Sequence, residues 1–157
     1  MSKTNRVAVI LPFHGPAPFL AEALESIAGE ETMEIETILI DDHAATTARS
    51  IASGFCADGP RRRLISNAGL GIADALMTGV RESSAPLLAR FDADDRMLPG
   101  RIARQSAYLA ENPDVAVVGS QVRYIDADGN DTGRSCYATD TTTIDRVLRR
   151  ACPISHP

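Results

Sequence analysis

The sequence predicts an α/β protein in which a mostly parallel β-sheet is covered by helices on both faces. Two observations carry this prediction. Short runs of β-branched residues alternate with helical patterns along most of the chain, and strands that alternate with helices form parallel sheets through crossover connections. The first of these runs, residues 7–11, is also apolar throughout, as expected for a strand that is covered on both sides.

The individual elements follow from composition and spacing. Strands are expected at residues 7–11, 36–40, 63–65 and 87–91, with 115–119 and 121–125 also extended and a turn at 126–130. Helices are expected at residues 18–28, 46–53, 71–80, 99–112 and 143–151. Pro12 is expected to end the first strand, and Pro99 suits the first turn of the fourth helix.

Length, charge and cysteine content exclude several classes of protein. The chain has 157 residues, so we expect a single domain over residues 1–157. Its net charge of −5 argues against nucleic acid as a partner, because phosphate binding needs a basic face. Three widely spaced cysteines and the lack of a secretion signal before Val7 predict reduced thiols in the cytoplasm. No apolar run approaches the roughly 20 residues that cross a bilayer.

Polar and acidic residues follow three of the predicted strands. Residues 12–14 (Pro-Phe-His) follow the first strand, Asp41 and Asp42 follow the second, and residues 92–95 (Asp-Ala-Asp-Asp) follow the fourth. In open parallel sheets the ligand crevice lies beyond the carboxyl ends of the strands. We therefore expect these segments to gather at one edge of the sheet and to form the binding site.

An Asp-x-Asp at a strand end favours a hard divalent cation. Clustered carboxylates repel one another unless a cation compensates their charge, and Mg²⁺ or Mn²⁺ often binds through one or two carboxylates plus substrate phosphates. Side chains alternate along extended backbone, so one carboxylate can reach the ion while its neighbour faces a nucleoside. The alternative is an acidic turn without function, which is the interpretation we give to residues 126–130.

Other nucleotide and metal folds fit the sequence poorly. A response-regulator receiver and a P-loop both need a lysine at the site, and the single lysine of the chain is Lys3. Residues 67–71 (Asn-Ala-Gly-Leu-Gly) lack the glycine spacing of a dinucleotide-binding turn. His14, His43 and His156 have no second ligand at zinc-site spacing.

Five segments, in order, resemble the family-2 glycosyltransferases of the GT-A fold. They are VAVILPFHG (7–15), PFLAEALESI (18–27), IETILIDDHA (35–44), NAGLGIADALMTGV (67–80) and the segment from Leu87 to Ser120 that contains FDADD. The resemblance implies an α/β fold of the GT-A, nucleotide-sugar-binding type. The chain departs from the family pattern at Gly15, where the family has asparagine, and at His43 and Ala44, where it has Gly-Ser.

The resemblance also implies a role for each matching position. Asp41 would hydrogen-bond the base of the donor nucleotide, Asp92 would lie near its ribose, and Asp94 would hold Mn²⁺ or Mg²⁺, with Asp92 as a second candidate ligand. His14 stands where the family usually has a tyrosine that packs on the base, and a plain loop role is its alternative. Arg90 and Arg101 match basic positions in part of the family, and we expect Arg101 to pair with the acidic edge. The expected donor-nucleotide site comprises Pro12, Phe13, His14, Asp41, Asp42, Asn67, Gly71, Arg90, Asp92 and Ala93.

The implied reaction is inverting sugar transfer from a nucleotide-diphosphate sugar to the hydroxyl of a saccharide or lipid-linked acceptor. The family's general base lies in an acceptor-binding half, so we expect it beyond Pro157 and name no catalytic residue here. The expectation is a donor-binding portion that binds nucleotide weakly with metal and turns over poorly. The implied setting is polysaccharide or glycolipid synthesis in the cytoplasm, with peripheral association of a full-length protein at the inner face of the membrane. The alternatives are a nucleotidyltransferase-like enzyme and a non-catalytic nucleotide-binding module.

Overall fold

The computed structural model describes residues 6–30, 35–69 and 71–154 of the chain. The chain falls into two compact units, which divide between Ala107 and Tyr108. Among the described residues, no helix is long and apolar enough to span a membrane.

The first unit is built on a four-stranded parallel sheet. Its strands are β1 (Val7–Gly15), β2 (Ile35–Ala44), β3 (Arg62–Ser66) and β4 (Leu87–Arg90), in the spatial order β3-β2-β1-β4. Its helices are α1 (Leu20–Ala28), α2 (Thr46–Ala57), α3 (Ile72–Glu82) and α4 (Arg101–Glu111), the last of which crosses the division. The predicted order of strands and helices is confirmed through α4.

Apolar side chains pack on both faces of this sheet. On one face, Val9 and Leu39 belong to a buried cluster with residues of α1 and α2. On the other face, Ile10 and Ile38 cluster with Ala75 of α3. Successive residues of a strand point to opposite faces, which is why a continuously apolar run such as residues 7–11 requires cover on both sides. The predicted α/β class, with helices on both faces, is confirmed.

Strand β1 continues through Pro12, so the expectation that this proline ends the strand is wrong. The carbonyl of Ile10 accepts a hydrogen bond from Phe91 N–H at 3.0 Å. Because backbone groups alternate between the two neighbours, Pro12 faces the same side as Ile10, past the last β4 residue at Arg90. Its missing N–H removes no β4 ladder bond, and pairing with β2 continues to Gly15.

The second unit contains an antiparallel ribbon and a helix. The ribbon strands β5 (Arg123–Ile125) and β6 (Asp131–Arg134) flank a turn, and α5 covers Thr141–Leu148. The carboxylate of Asp126 accepts from Asp128 N–H at 3.0 Å and from Asn130 N–H at 2.8 Å. The predicted turn at residues 126–130 is therefore confirmed.

The expected strand at residues 115–119 does not form. Within the described part of the chain, this apolar run pairs with no other strand, and Val117 is 65% exposed. A strand is stabilised by cross-strand pairing and burial rather than by β-branched composition alone. The last helix begins two residues before the predicted 143 and ends at Leu148 rather than at Ala151.

Candidate functional site

Three segments lie at the carboxyl edge of one sheet: residues 12–14 at the end of β1, Asp41 and Asp42 near the end of β2, and residues 92–95 after β4. The first two lie within their strands, because β1 and β2 extend beyond the predicted bounds. β1 is flanked by β2 and β4, with Phe13 in register with Asp41 and Ile10 in register with Arg90. The acidic residues of β2 and those after β4 therefore lie on either side of the end of β1. Pro12 and Phe13 are buried, and His14 is exposed at the strand end. Since the Phe13 ring belongs to the apolar core, only its backbone remains for a ligand.

Asp41 is buried and pairs with a residue that the sequence did not indicate. One carboxylate oxygen accepts from Ala44 N–H at 2.8 Å, and the other lies 2.6 Å from Nε of Arg49. Arg49 lies in α2 and is half exposed, whereas Asp41 is 4% exposed. No spacing rule links the two positions, because the turn between β2 and α2 decides where the guanidinium falls. The pair leaves this part of the site close to neutral.

Asp42, Asn67 and Gly71, all predicted to bind the donor nucleotide, lie together in a polar network with Thr78. The side chain of Asn67 donates to one oxygen of Asp42 at 2.8 Å, and Gly71 N–H donates to the other at 3.1 Å. The carbonyl of the Asn67 side chain accepts from Thr78 Oγ1 at 3.0 Å. Since these groups bond to one another, their observed contribution is to fix the backbone between β3 and α3. Thr78 was not predicted as part of the site. It lies within α3, and its partner Asn67 lies eleven residues earlier, in the loop before that helix.

His43 adopts a backbone conformation that favours glycine. Its φ is +60°, in the left-handed region that side chains with a Cβ rarely occupy. The imidazole Nε2 lies 3.1 Å from the carbonyl oxygen of Gly69. This bond joins the end of β2 to the loop before α3.

Asp92 is held by Arg90. The guanidinium donates from Nε to one carboxylate oxygen at 3.0 Å and from Nη2 to the other at 3.1 Å, which is the bidentate geometry of a strong charge-assisted pair. Arg101 donates to the carbonyl of Arg90 at 3.2 Å and lies over the Phe91 ring at 5.6 Å from its centre. Burial lowers the pKa of Arg101, against the attraction of Asp95, Asp92 and Glu30. The expected pairing of Arg101 with the acidic edge is not seen as a direct ion pair among the described residues; its charge acts on Asp95 and Asp92 from nearby.

The residues from Asp92 to Gly100 form the acidic loop. The carboxylates of Asp94 and Asp95 have different surroundings from that of Asp92. Asp94 is exposed, and among the described residues no cation or hydrogen-bond donor contacts its carboxylate. Burial raises the pKa of Asp95, and the charges of Asp94 and Asp92 raise it further, while Arg101 and Arg90 oppose the shift. Ala93 packs against the edge of the core. Of the nearby arginines, Arg90 pairs with Asp92 and Arg96 of the loop pairs with Glu22 of α1. Among the described residues, Asp94 and Asp95 therefore form no direct ion pair.

These residues fit a divalent cation that shares its coordination with a substrate. No three ligating side chains converge within the described ranges, so a site built entirely from protein ligands is not formed there. Mg²⁺ and Mn²⁺ sites that hold phosphates need one or two carboxylates. Asp94 meets that need without losing a partner, whereas Asp92 would have to share oxygens with Arg90. Asp94 is accordingly the better ligand of the two.

Two solved structures of similar fold identify the fold class of this chain. A mannosyltransferase of Pyrobaculum calidifontis, solved with GDP-mannose and Mn²⁺, aligns with a TM-score of 0.61 and 23% identity over 76% of this chain and 35% of its own. TarS of S. aureus, solved with UDP, aligns with a TM-score of 0.62 and 16% identity over 69% of this chain and 33% of its own. The fold is that of the GT-A glycosyltransferases, as predicted.

The chain belongs to glycosyl transferase family 2, whose family model matches residues 8–157. The putative glycosyltransferase EpsE of Bacillus subtilis is 30% identical over 82% of this chain and 47% of its own length. The glycosyltransferase GlyG of Streptococcus pneumoniae is 26% identical over 92% of this chain and 49% of its own. The chain therefore spans about half the length of these two relatives. Membership of this family favours sugar transfer over the nucleotidyltransferase alternative.

Proposed function

We propose that this chain is the donor-binding domain of an inverting glycosyltransferase, with residues 1–157 acting as one domain. The donor is a nucleotide-diphosphate sugar, the cofactor is Mn²⁺ or Mg²⁺, and the acceptor is the hydroxyl of a saccharide or lipid-linked glycan. The reaction belongs to polysaccharide or glycolipid synthesis in the cytoplasm, with the full-length protein working at the inner face of the membrane. Nucleic acid is not a partner, in keeping with the net charge of −5.

One observation carries the proposal. Two carboxylates of different character flank the end of β1: Asp41 is buried and paired, and Asp94 is exposed on the acidic loop without a compensating cation among the described residues. A nucleoside diphosphate also has two parts, a neutral base and a charged diphosphate that coordinates a metal ion. The neutral side of the site suits the base, and the uncompensated side suits the cation and its phosphates.

In this proposal each side chain binds or supports one part of the donor. Asp41 accepts a hydrogen bond from the donor base, while the exposed imidazole of His14 lies at the strand end, where it stacks on a planar base. Asp92, oriented by Arg90, faces the ribose, and Asp94 holds the cation. When bound, the cation stabilises the negative charge of the departing diphosphate. Asp42, Asn67 and Gly71 keep the loop before α3 in place beneath the donor.

The general base of the reaction is assigned to none of these residues. Inverting transfer needs a carboxylate that takes the proton of the acceptor hydroxyl as the bond to the anomeric carbon forms. We assign that role to no described side chain and place the base beyond Pro157. The ligands named with the two structural neighbours, GDP-mannose with Mn²⁺ and UDP, are of the kind proposed here and support the assignment of the donor class.

Calorimetric titration of the chain with UDP, GDP and dTDP, with and without Mn²⁺, tests the proposal. We expect Mn²⁺ to strengthen binding of one diphosphate, and Asp94→Ala to abolish that gain. Asp58→Ala is the matched control, because Asp58 is an exposed carboxylate at the end of α2, on the side of the sheet opposite the carboxyl ends of the strands, and its loss should change nothing. Equally strong binding without metal would remove the role given to Asp94. Metal-dependent binding by a full-length protein without sugar transfer would favour the non-catalytic module.

A further inference from the structure

Three side chains on one side of α1 and just beyond its end contact the acidic loop and the start of α4. Glu22 forms an ion pair with Arg96, and Ser26 Oγ accepts from Met97 N–H at 2.9 Å. The carboxylate of Glu30 accepts from Gly100 N–H at 2.5 Å and from Ile102 N–H at 3.4 Å. The three residues are spaced four apart, so they lie in a row along the helix direction. The row spans the acidic loop from Arg96 to its end.

Glu30 is the most buried of the three. It is only 6% exposed, and a buried carboxylate is costly unless hydrogen bonds or charges compensate it. Here the backbone N–H groups at the end of the loop and the start of α4 supply that compensation, and the charge of Glu30 also acts on nearby Arg101. Replacement by an apolar residue would leave those N–H groups without their acceptor.

We propose that Ser26 and Glu30 are positioning residues of the donor site, which hold the acidic loop so that Asp94 presents its carboxylate to the cation. The inference rests on the proposed function, since it assigns to α1 the support of the proposed metal ligand. Both residues act through backbone N–H groups within eight positions of Asp94, and neither contacts the ligand itself. Loss of a group that hydrogen-bonds a metal ligand directly commonly costs about 10- to 100-fold in metal affinity. Because Ser26 and Glu30 hold the backbone of the loop rather than the Asp94 side chain, we expect a loss at the lower end of that range.

Glu22 provides the matched comparison within the same row. Its carboxylate and the guanidinium of Arg96 are each nearly half exposed, and exposed ion pairs contribute little because water and salt screen them. We therefore expect Glu22→Gln to leave the loop in place. Glu30→Gln is the conservative variant of the buried position, since the amide keeps one acceptor oxygen and loses the other.

The first experiment measures Mn²⁺ binding to the intact chain in the presence of UDP, GDP or dTDP, because the cation is expected to share its coordination with the phosphates. Electron paramagnetic resonance follows free Mn²⁺, solutions of the nucleotide alone correct for its own Mn²⁺ binding, and urea unfolding is measured in parallel. Ser26→Ala and Glu30→Ala should each raise the dissociation constant for Mn²⁺ by about 10-fold. Glu30→Gln should recover part of that loss, and Glu22→Gln should stay within about 2-fold of the wild type. An unchanged dissociation constant in Ser26→Ala and Glu30→Ala, even with lower stability, would overturn the positioning role.

The second experiment separates this inference from the proposed function. Amide hydrogen exchange in the metal-free chain should accelerate at Met97 in Ser26→Ala and at Gly100 in Glu30→Ala, while amides of α3 keep the wild-type rate. Unchanged exchange at both amides would overturn the inference whatever the metal does. Failure of the wild type to bind Mn²⁺ with any of the three diphosphates, with exchange accelerated as expected, would instead overturn the proposed metal site. Ser26→Ala removes only a hydroxyl, so it carries the test if Glu30→Ala fails to fold.

Discussion

The side chain of Asn67 donates a hydrogen bond to the carboxylate of Asp42 at 2.8 Å, and both residues are almost fully buried. This bond joins the end of β2 to the loop that leads into α3. The two residues are 25 positions apart in the chain, and both had been predicted to bind the donor directly. Their mutual bond, together with those to Gly71 and Thr78, supports that loop from within.

Removal of the Asn67 amide should destabilise the protein. Asn67→Ala leaves a buried oxygen of Asp42 and the hydroxyl of Thr78 without their partners, and an unsatisfied buried polar group costs about 1–3 kcal/mol. Urea unfolding should report a loss of that size. Ser66→Ala is the control, because Ser66 is the exposed neighbour and should change the unfolding free energy by less than about 0.5 kcal/mol. Equal effects of the two substitutions would contradict the network.

Gly79 and Gly54 should respond in opposite directions to the same substitution. A Cβ at Gly79 would lie 2.4 Å from a methyl carbon of Ile10, so α3 or the core must shift, whereas a Cβ at Gly54 of α2 meets nothing within 4 Å. Gly79→Ala should therefore destabilise by about 1–3 kcal/mol through overpacking. Gly54→Ala should stabilise by up to about 1 kcal/mol, since alanine is the better helix former. Thermal unfolding of the two variants checks both signs, and a stabilised Gly79→Ala would show that α3 packs less closely than described.

The spacing of apolar residues along the chain predicted the helices and strands whose position depends on burying their own apolar side chains. The helix expected at residues 18–28 forms as α1, and its apolar residues Leu20, Ala23, Leu24 and Ile27 recur at helical spacing and are all buried. The apolar runs in β1 and β2 were predicted correctly, because a parallel strand covered on both faces is apolar along most of its length. The run at 115–119 has similar composition but lies unpaired, since pairing depends on which backbone comes alongside and not on the run itself.

The candidate site was predictable only where its residues sit at strand ends. Asp41, Asp42 and Asp92 could be placed at one edge because parallel strands share a carboxyl end. Arg49, Ser26 and Glu30 could not, because their contacts are set by how helices approach the loops. Ser26 lies 71 residues before Met97, to whose N–H it bonds, and no motif spans that separation.

The three cysteines should differ in their reactivity toward alkylating reagents. Burial raises the pKa of the Cys56 thiol, with the nearby charge of Arg62 opposing the shift, whereas Cys136 and Cys152 are exposed. Because the thiolate is the reactive form, iodoacetamide at pH 8 should modify Cys56 at least about 3-fold more slowly than the other two, as followed by peptide mass spectrometry. All three should react at similar rates in urea. Preferential labelling of Cys56 in the folded protein would contradict its described environment.

The start of α5 should respond to acid through Asp140. Its carboxylate accepts from Thr143 N–H at 2.8 Å, and that bond, with the Thr143 hydroxyl, holds the pKa of Asp140 below its ordinary value of 3.8. A depressed pKa means that the ionised cap stabilises the helix above pH 3.8 and that this contribution is lost as the pH falls through the folded-state pKa. The Thr143 amide resonance should titrate with a midpoint below 3.8, and Asp140→Asn should remove the transition. A midpoint at or above 3.8 would contradict the cap.

Asp95 should oppose folding at neutral pH when no metal is bound. Burial and the charges of Asp94 and Asp92 raise its pKa, so the folded state favours the protonated form and ionisation carries a cost. That cost is fully present above the raised pKa and disappears below the unfolded-state value. With EDTA present, Asp95→Asn should therefore stabilise the protein at pH 7 by up to about 1 kcal/mol, a modest figure because Asp95 is only partly buried. The gain should vanish near pH 3.5, and Asp114→Asn should show none at either pH. A destabilised Asp95→Asn at pH 7 would mean that Arg101 and Arg90 outweigh the two neighbouring carboxylates.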